Sequence, residues 1–467
     1  MVLHPLSRRK FSHVLTILYP FMTVSQSPED YLRSLPSIRE RCKLVYNKGH
    51  ENDLHHFDIH EDRLPIVVDY VKDVIAKNYP SFDKIPPHSR WRHFDAGGHR
   101  RVQALIEQWE KENVDTEERS RRLVDLFLVA VLLDAGAGMK WSYKDQDTGD
   151  VYRRSEGLGV ASYNMFKSGL FSNDPTRYPH RVDVDRLQEL KTEDVSSGFQ
   201  VSKENIMVGI TGRAALLNRL GKAISEQTAF FPASSSGVAA RPGNLIDYLL
   251  NHDTTKGRDS GHPIVQVPVL WSGIMSLGEM WPARLKLNGV QLGDVWPCDA
   301  IKSASALPDS TEHWVPFHKL SQWLTYSLLE AIEHGLGATF DGKEYLTGLP
   351  EYRNGGLLVD LGLLTLKPAT YDRGITRCRE KGVTVGGTHL PMFEGGDPAI
   401  VEWRALTVIY LDLIADELRK IYKLDKHTLT LAQVLEGGTW SAGRVIAAEK
   451  RPSSDPPILI ESDGTIF

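Results

Sequence analysis

Several short stretches of this chain set carboxylates, arginines, aromatics and glycines side by side. "TGLPEYRNGGLLVD" places Glu351, Tyr352, Arg353 and Asn354 before Gly355-Gly356, then carries Asp360 into an apolar run. "HSRWRHFDAGG" packs Arg90, Trp91, Arg92 and His93 ahead of Gly97-Gly98, and "LLDAGAG" ends a hydrophobic helix with Asp134. "RSEGLGVAS" starts a helix with Arg154, Ser155 and Glu156, whose backbone amides suit an anion. "GITGRAALLNRLG" holds Arg213, "VEWRALT" holds Glu402 and Arg404, and "LEGGTWSAGR" holds Glu436, Trp440 and Arg444. Each has an ordinary structural use, since Gly-Gly caps helix ends and Arg beside Glu pairs on surfaces. Their recurrence points to a small polar ligand carrying a phosphate or a sugar. Arginine supplies a fork for an oxyanion, glycine permits close backbone approach, and aromatic rings exclude water. Pro350, Asn354 and Gly355-Gly356 read as a turn, and Leu357–Val359 as the start of a buried strand. Asp360 within that run is costly unless paired, and Arg353 across the glycines is the expected partner.

Other chemistries leave no signature. There is no Walker loop, no dinucleotide-binding glycine motif after a strand, no nucleophile elbow and no zincin pair. "HHFDIHEDR" puts His55, His56, Asp58 and His60 close together, as metal ligands on a strand would be, but without a second cluster. Neither a metal nor another cofactor is expected. Fifty-five basic against sixty acidic residues give a net charge of −5, which implies no polycationic surface for nucleic acid. Cys42, Cys298 and Cys378 are far apart and suit a reducing, cytoplasmic compartment.

Helical periodicity dominates the elements that must position these groups. "RRLVDLFLVAVLLDAG", "HKLSQWLTYSLLEAIEHG" and "PAIVEWRALTVIYLDLIADELRKIY" repeat apolar positions every three or four residues. "ARLKLNGVQLGDVW" alternates around Asn288-Gly289, a hairpin signal, and "GGLLVDLGLLTLK" and "PPILIESDGTIF" read as short strands. The predicted fold is mainly α (α+β), a compact helical body with a minor β-hairpin or small sheet. Residues 1–27 are expected to be an extension without fixed structure, or to lie partly upstream of a start at Met22. Residues 28–467 form the body, with a possible seam near 173–197. The apolar run Val14–Met22 is too short to span a bilayer, and no membrane association is expected.

The motifs "HSRWRHFDAGG", "LLDAGAG", "RSEGL", "TGLPEYRNGGLLVD", "VEWRALT", "LEGGTWSAGR" and "SDGT" together resemble the uracil catabolism protein 4 family, from about Tyr31 to the C-terminus. The resemblance implies a part in a uracil-degrading route in which a uridine nucleotide is ring-opened. The ribosyl-urea intermediate must then yield urea and a ribose phosphate. "SLGEMWPARLKLNGVQLGDVW" followed by "VPFHKLSQWLTYSLLEAIE" is similar to the later part of queuosine-salvage nucleosidases of the DNA-glycosylase type. That similarity implies N-glycosidic cleavage assisted by an acidic residue, with Glu279 near its place. Positive charge builds on the sugar as the C1′–N bond breaks, so a carboxylate near C1′ is required. The catalytic candidates are Glu351 first, then Asp360, Glu402 and Glu279. For a phosphate, Arg353 and Arg404 lead, with Arg90, Arg154 and Arg213 as further cations. Trp91, Arg92, His93, Glu156, Tyr352 and Asn354 complete the substrate-binding candidates. The expected partner is thus a phosphorylated riboside. Two alternatives stand beside this reading: a metal-dependent amidohydrolase acting on the urea end, and a non-catalytic binder of a uracil-derived nucleotide.

Overall fold

The computed structural model describes residues 27–138, 140–233, 240–281, 285–305, 307, 310–451 and 453–461. Residues 1–26, the "SDGT" stretch and the Glu279 side chain lie outside the described residues. The helices that carry the site are α1 (Leu35–His50), α2 (Thr116–Leu132), α3 (Arg154–Lys167) and α4 (Ile210–Glu226). They are followed by α5 (Lys319–Leu336), α6 (Tyr352–Asp360), α7 (Pro398–Tyr422) and α8 (Trp440–Lys450). Strands are short: β1 (Phe57–Ile59), β2 (Lys286–Leu287), β3 (Val290–Gln291), β4 (Leu364–Leu366), β5 (Met392–Glu394) and β6 (Leu459–Glu461). Every sheet among the described residues has two strands, so the fold is mainly α with minor β elements, as the periodicity predicts.

Local signals explain the ends of these helices. Asp115 caps α2 by accepting from the Glu118 amide, and Asp397 caps α7 from the Ala399 amide with Pro398 next to it. Gly337 closes α5 at φ 66°. From Leu123 to Leu132 every residue of α2 is buried, and such a helix belongs in the middle of the molecule. α5 packs along it, while α7 packs against α1 and α6. Each fully buried large apolar side chain contributes about 1.5–3 kcal/mol, so this contiguous core holds α2, α5 and α7 as one frame. The β2–β3 hairpin turns at Asn288 (φ 48°) and Gly289 (φ 83°), the left-handed pair its sequence signals.

The stretch read as turn then strand folds differently. Tyr352–Asp360 is the helix α6, and only Leu364–Leu366 is strand, antiparallel to β1. Glu351 starts α6 as its N-cap, accepting from the Arg353 and Asn354 amides. The glycines serve packing rather than a turn: a Cβ at Gly355 would meet the Trp403 ring at 2.7 Å. β6 runs parallel to β5, with Leu459 opposite Met392. Among the described residues no helix is long and apolar enough to cross a membrane.

Candidate functional site

The polar motifs converge where the loop after α2 meets the starts of α3, α5, α6 and α8, around a cavity of about 450 Å³. A larger cavity, about 750 Å³, is walled mainly by Phe230, Tyr248, Trp271, Pro268, Val269 and Met275 and lacks this convergence of carboxylates and arginines. Asp134 stands in the loop after α2, its Oδ1 2.7 Å from Nη1 of the fully buried Arg90. Burial raises its pKa and the Arg90 cation opposes the rise. Arg213, also buried, holds this loop by donating to the carbonyls of Leu133, Ala135 and Gly136.

Lys319, the first residue of α5, enters the same cavity. Its backbone amide donates to Asp294 Oδ2 at 3.0 Å, and Asp294 in turn is gripped by both forks of Arg404 at 2.9 and 2.8 Å. Burial would raise the Asp294 pKa, but the Arg404 guanidinium outweighs it and holds the carboxyl well below the usual range. The chain Arg404–Asp294–Lys319 therefore sets the start of α5. Burial lowers the Lys319 pKa, with Glu351 and Asp134 opposing, so the ammonium sits in the field of both carboxylates. Among the described residues it has no direct ion-pair partner.

Glu351 lines the cavity while capping α6, its oxygens 2.7 Å from the Arg353 amide and 2.6 Å from the Asn354 amide. Burial raises its pKa against those two donors. The opposite wall is aromatic. A π-helical turn, Val434–Thr439, precedes α8, a winding frequent at functional sites, and is followed by Trp440 facing the cavity. Glu436 in that turn holds His88 Nδ1 at 2.5 Å, and the His88 ring lies 4.6 Å from Trp323 and 5.4 Å from Trp440. His93 completes the wall, 5.9 Å from Trp323. Burial, then the Arg90 cation, pushes its pKa well below 6.5, so it is neutral. Arg90 Nη1 lies 3.0 Å from His93 Nδ1 and can only donate, which puts the imidazole proton on Nε2.

Of the residues singled out in the sequence, His93, Arg154, Glu351, Tyr352 and Arg353 line this cavity. Arg90 supports Asp134 from behind, and Asn354 Nδ2 donates to the Leu349 carbonyl beneath α6. Trp91 packs on Phe127 and donates to Asp95, Arg92 pairs with Glu330, and Glu156 pairs with Arg444. Asp360 is not paired with Arg353. Both its oxygens take the Arg451 guanidinium, at 2.7 and 2.5 Å, while Arg353 Nη1 donates to the Ser454 carbonyl. Glu402 is buried under the amides of His55 and His56, each 2.9 Å away, and ties β1's approach to α7. Arg404 is committed to Asp294. Two histidines of the early cluster bond hydroxyls, His56 to Thr370 and His60 to Thr365, and no group of three metal-ligating side chains gathers among the described residues. Lys319, Trp323 and His88 join the cavity without having been singled out, and Asp134 and Trp440 without a site role. The available signal was Asp134 closing the apolar run Leu126–Leu133, a position where a carboxylate needs a buried partner.

Fold and cavity together define a mainly α-helical protein with a pocket lined by carboxylates, arginines and tryptophans. The family described as "Protein of unknown function (DUF1688)" matches residues 31–467. The chain is 42% identical over 454 residues to "Uracil catabolism protein 4" of Lachancea kluyveri, covering 96% of this chain and 100% of that protein. It is 39% identical over 441 residues to "Protein urg3" of Schizosaccharomyces pombe, covering 93% and 98%. The chain belongs to the uracil catabolism protein 4 family, as its motifs led one to expect.

Proposed function

We propose that this protein is an enzyme of uracil catabolism that hydrolyses the N-glycosidic bond of a ring-opened uridine nucleotide, releasing urea and a ribose phosphate. The pathway rests on the name of its Lachancea relative. The reaction rests on one observation: Glu351 and Asp134 share a small aromatic-walled cavity with the Lys319 ammonium. In this reading Glu351 faces C1′ and takes a proton from the attacking water, and Asp134, fixed by Arg90, adds the second negative charge that the oxocarbenium-like transition state requires. Lys319, with its pKa lowered by burial, gives its proton to the departing nitrogen. The C1′–N bond breaks, a C1′–OH bond forms, and the proton on Glu351 returns to Lys319. His93 Nε2–H donates to the ureido oxygen, and Trp323 and Trp440 shield the site from bulk water. Three buried free cysteines fit action in the reducing cytoplasm. The test is direct: purified protein is incubated with ribosyl-urea 5′-phosphate and urea is measured. Release by the wild type and loss in Glu351→Gln support the reading; tight binding without urea makes the protein a binder.

A further inference from the structure

Beside the main cavity lies a second one of about 280 Å³, lined by Arg154, Arg353, Arg444 and Ser454 together with Val445 and Ala448. Arg154 and Arg353 line both, so the two cavities share a wall. We propose that these three arginines form the binding site for a phosphate monoester, the 5′-phosphate of the substrate, an assignment that rests on the reaction proposed above.

The arrangement is built rather than incidental. Three guanidinium groups converge from three helices: Arg154 opens α3, Arg353 lies in the first turn of α6 and Arg444 in the first half of α8. Helices α6 and α8 approach so closely that a Cβ at Gly443 would meet the Arg353 carbonyl oxygen at 2.2 Å. This contact sets Arg444 next to Arg353. Aromatic rings flank two of the guanidiniums, Arg353 5.0 Å from the Tyr352 ring and Arg444 4.9 Å from the Trp440 ring. Trp440 and Tyr352 are themselves walls of the main cavity, so the cations are held in register with it. One carboxylate answers the three charges: Glu156 binds Arg444 Nη1 at 3.0 Å. Arg353 spends one amino group on the Ser454 carbonyl, and among the described residues the Arg154 side chain makes neither hydrogen bond nor ion pair. The surplus is positive and the donors are forks, which match a dianionic phosphate better than a carboxylate. Arg404, with Arg353 the leading cation that the sequence suggests for this task, is already bound on both forks by Asp294.

The experiment is isothermal titration of the full-length protein with ribose 5-phosphate, ribose and inorganic phosphate, for the wild type, Arg444→Ala and Arg154→Ala. Both arginines are at least partly exposed, so both variants should fold, and a melting curve verifies it. The wild type should bind ribose 5-phosphate well above either ribose or inorganic phosphate, and each variant should weaken it at least about tenfold. Equal binding of ribose 5-phosphate by folded wild type and variants overturns the assignment. Inorganic phosphate binding as tightly as ribose 5-phosphate overturns it too, because the site then takes a free anion. The reaction is judged separately: urea released equally from phosphorylated and unphosphorylated ribosyl-urea leaves the hydrolysis standing and removes this site. Arginine-dependent binding of ribose 5-phosphate without urea release keeps the site and removes the hydrolysis.

Discussion

Glu351→Gln separates chemistry from folding at the residue that does both. Its two carboxylate oxygens take the Asn354 amide at 2.6 Å and the Arg353 amide at 2.7 Å. Glutamine retains one carbonyl oxygen, so at most one amide stays bonded and the other meets an NH₂ group. Losing one such cap bond costs about 1–2 kcal/mol. Part of this is returned, because burial already disfavours the charge that the substitution removes. The variant should therefore fold, with a modest drop in thermal midpoint. Turnover should fall at least about a hundredfold, equivalent to ~2.7 kcal/mol of transition-state stabilisation, because the charge at C1′ has lost its partner. Glu351→Asp is the control. Aspartate is a good N-cap, so stability should recover, while the carboxylate withdraws from the cavity and turnover stays low. The assay pairs melting curves with urea release at saturating substrate. A folded Glu351→Gln protein within about threefold of wild-type turnover refutes the role, as does activity that merely follows stability through both variants.

Asp360→Asn should behave in the opposite way: Arg451 loses a buried bidentate partner, stability falls by roughly 3–5 kcal/mol, and turnover of the folded fraction is unchanged. A large kcat defect at low temperature, where the variant is folded, would contradict this. Gly443→Ala forces α8 off the Arg353 backbone, which cannot yield as a flexible side chain would. It should cost about 1–3 kcal/mol and weaken ribose 5-phosphate binding, measurable by titration. His93 titrates well below 6.5 in the folded state, so below that pH the unfolded chain binds more protons and stability falls as pH drops. In guanidinium melts between about pH 7 and pH 5, His93→Gln should lack a component of that fall approaching ~1.4 kcal/mol per pH unit, and identical slopes would count against a buried neutral ring.

The helical frame was legible because α2, α5 and α7 owe their burial to apolar spacing that the sequence displays, and the Asn288-Gly289 hairpin because its backbone demands those residues. α6 was not. Its glycines have turn chemistry locally and are explained only by contacts distant in sequence, Trp403 against Gly355 and Pro457 against Gly356. The same holds for charges. Arg404 and Asp360 looked available, yet Asp294 lies 110 positions from Arg404 and Arg451 lies 91 from Asp360. A residue's type says what it can bind, whereas whether it is already bound depends on the fold. The same holds for Lys319, since nothing near it in sequence brings it into one cavity with Asp134 and Glu351.

The central claim is cleavage at C1′–N rather than within the ureido group. Ribosyl-urea 5′-phosphate, isotopically labelled at its ureido carbon and both nitrogens, is incubated with the wild-type protein and the products are identified by mass spectrometry. The account predicts intact labelled urea, one molecule for each ribose phosphate formed, with the yield abolished in Glu351→Gln. Labelled ammonia and carbonate in place of urea would contradict it.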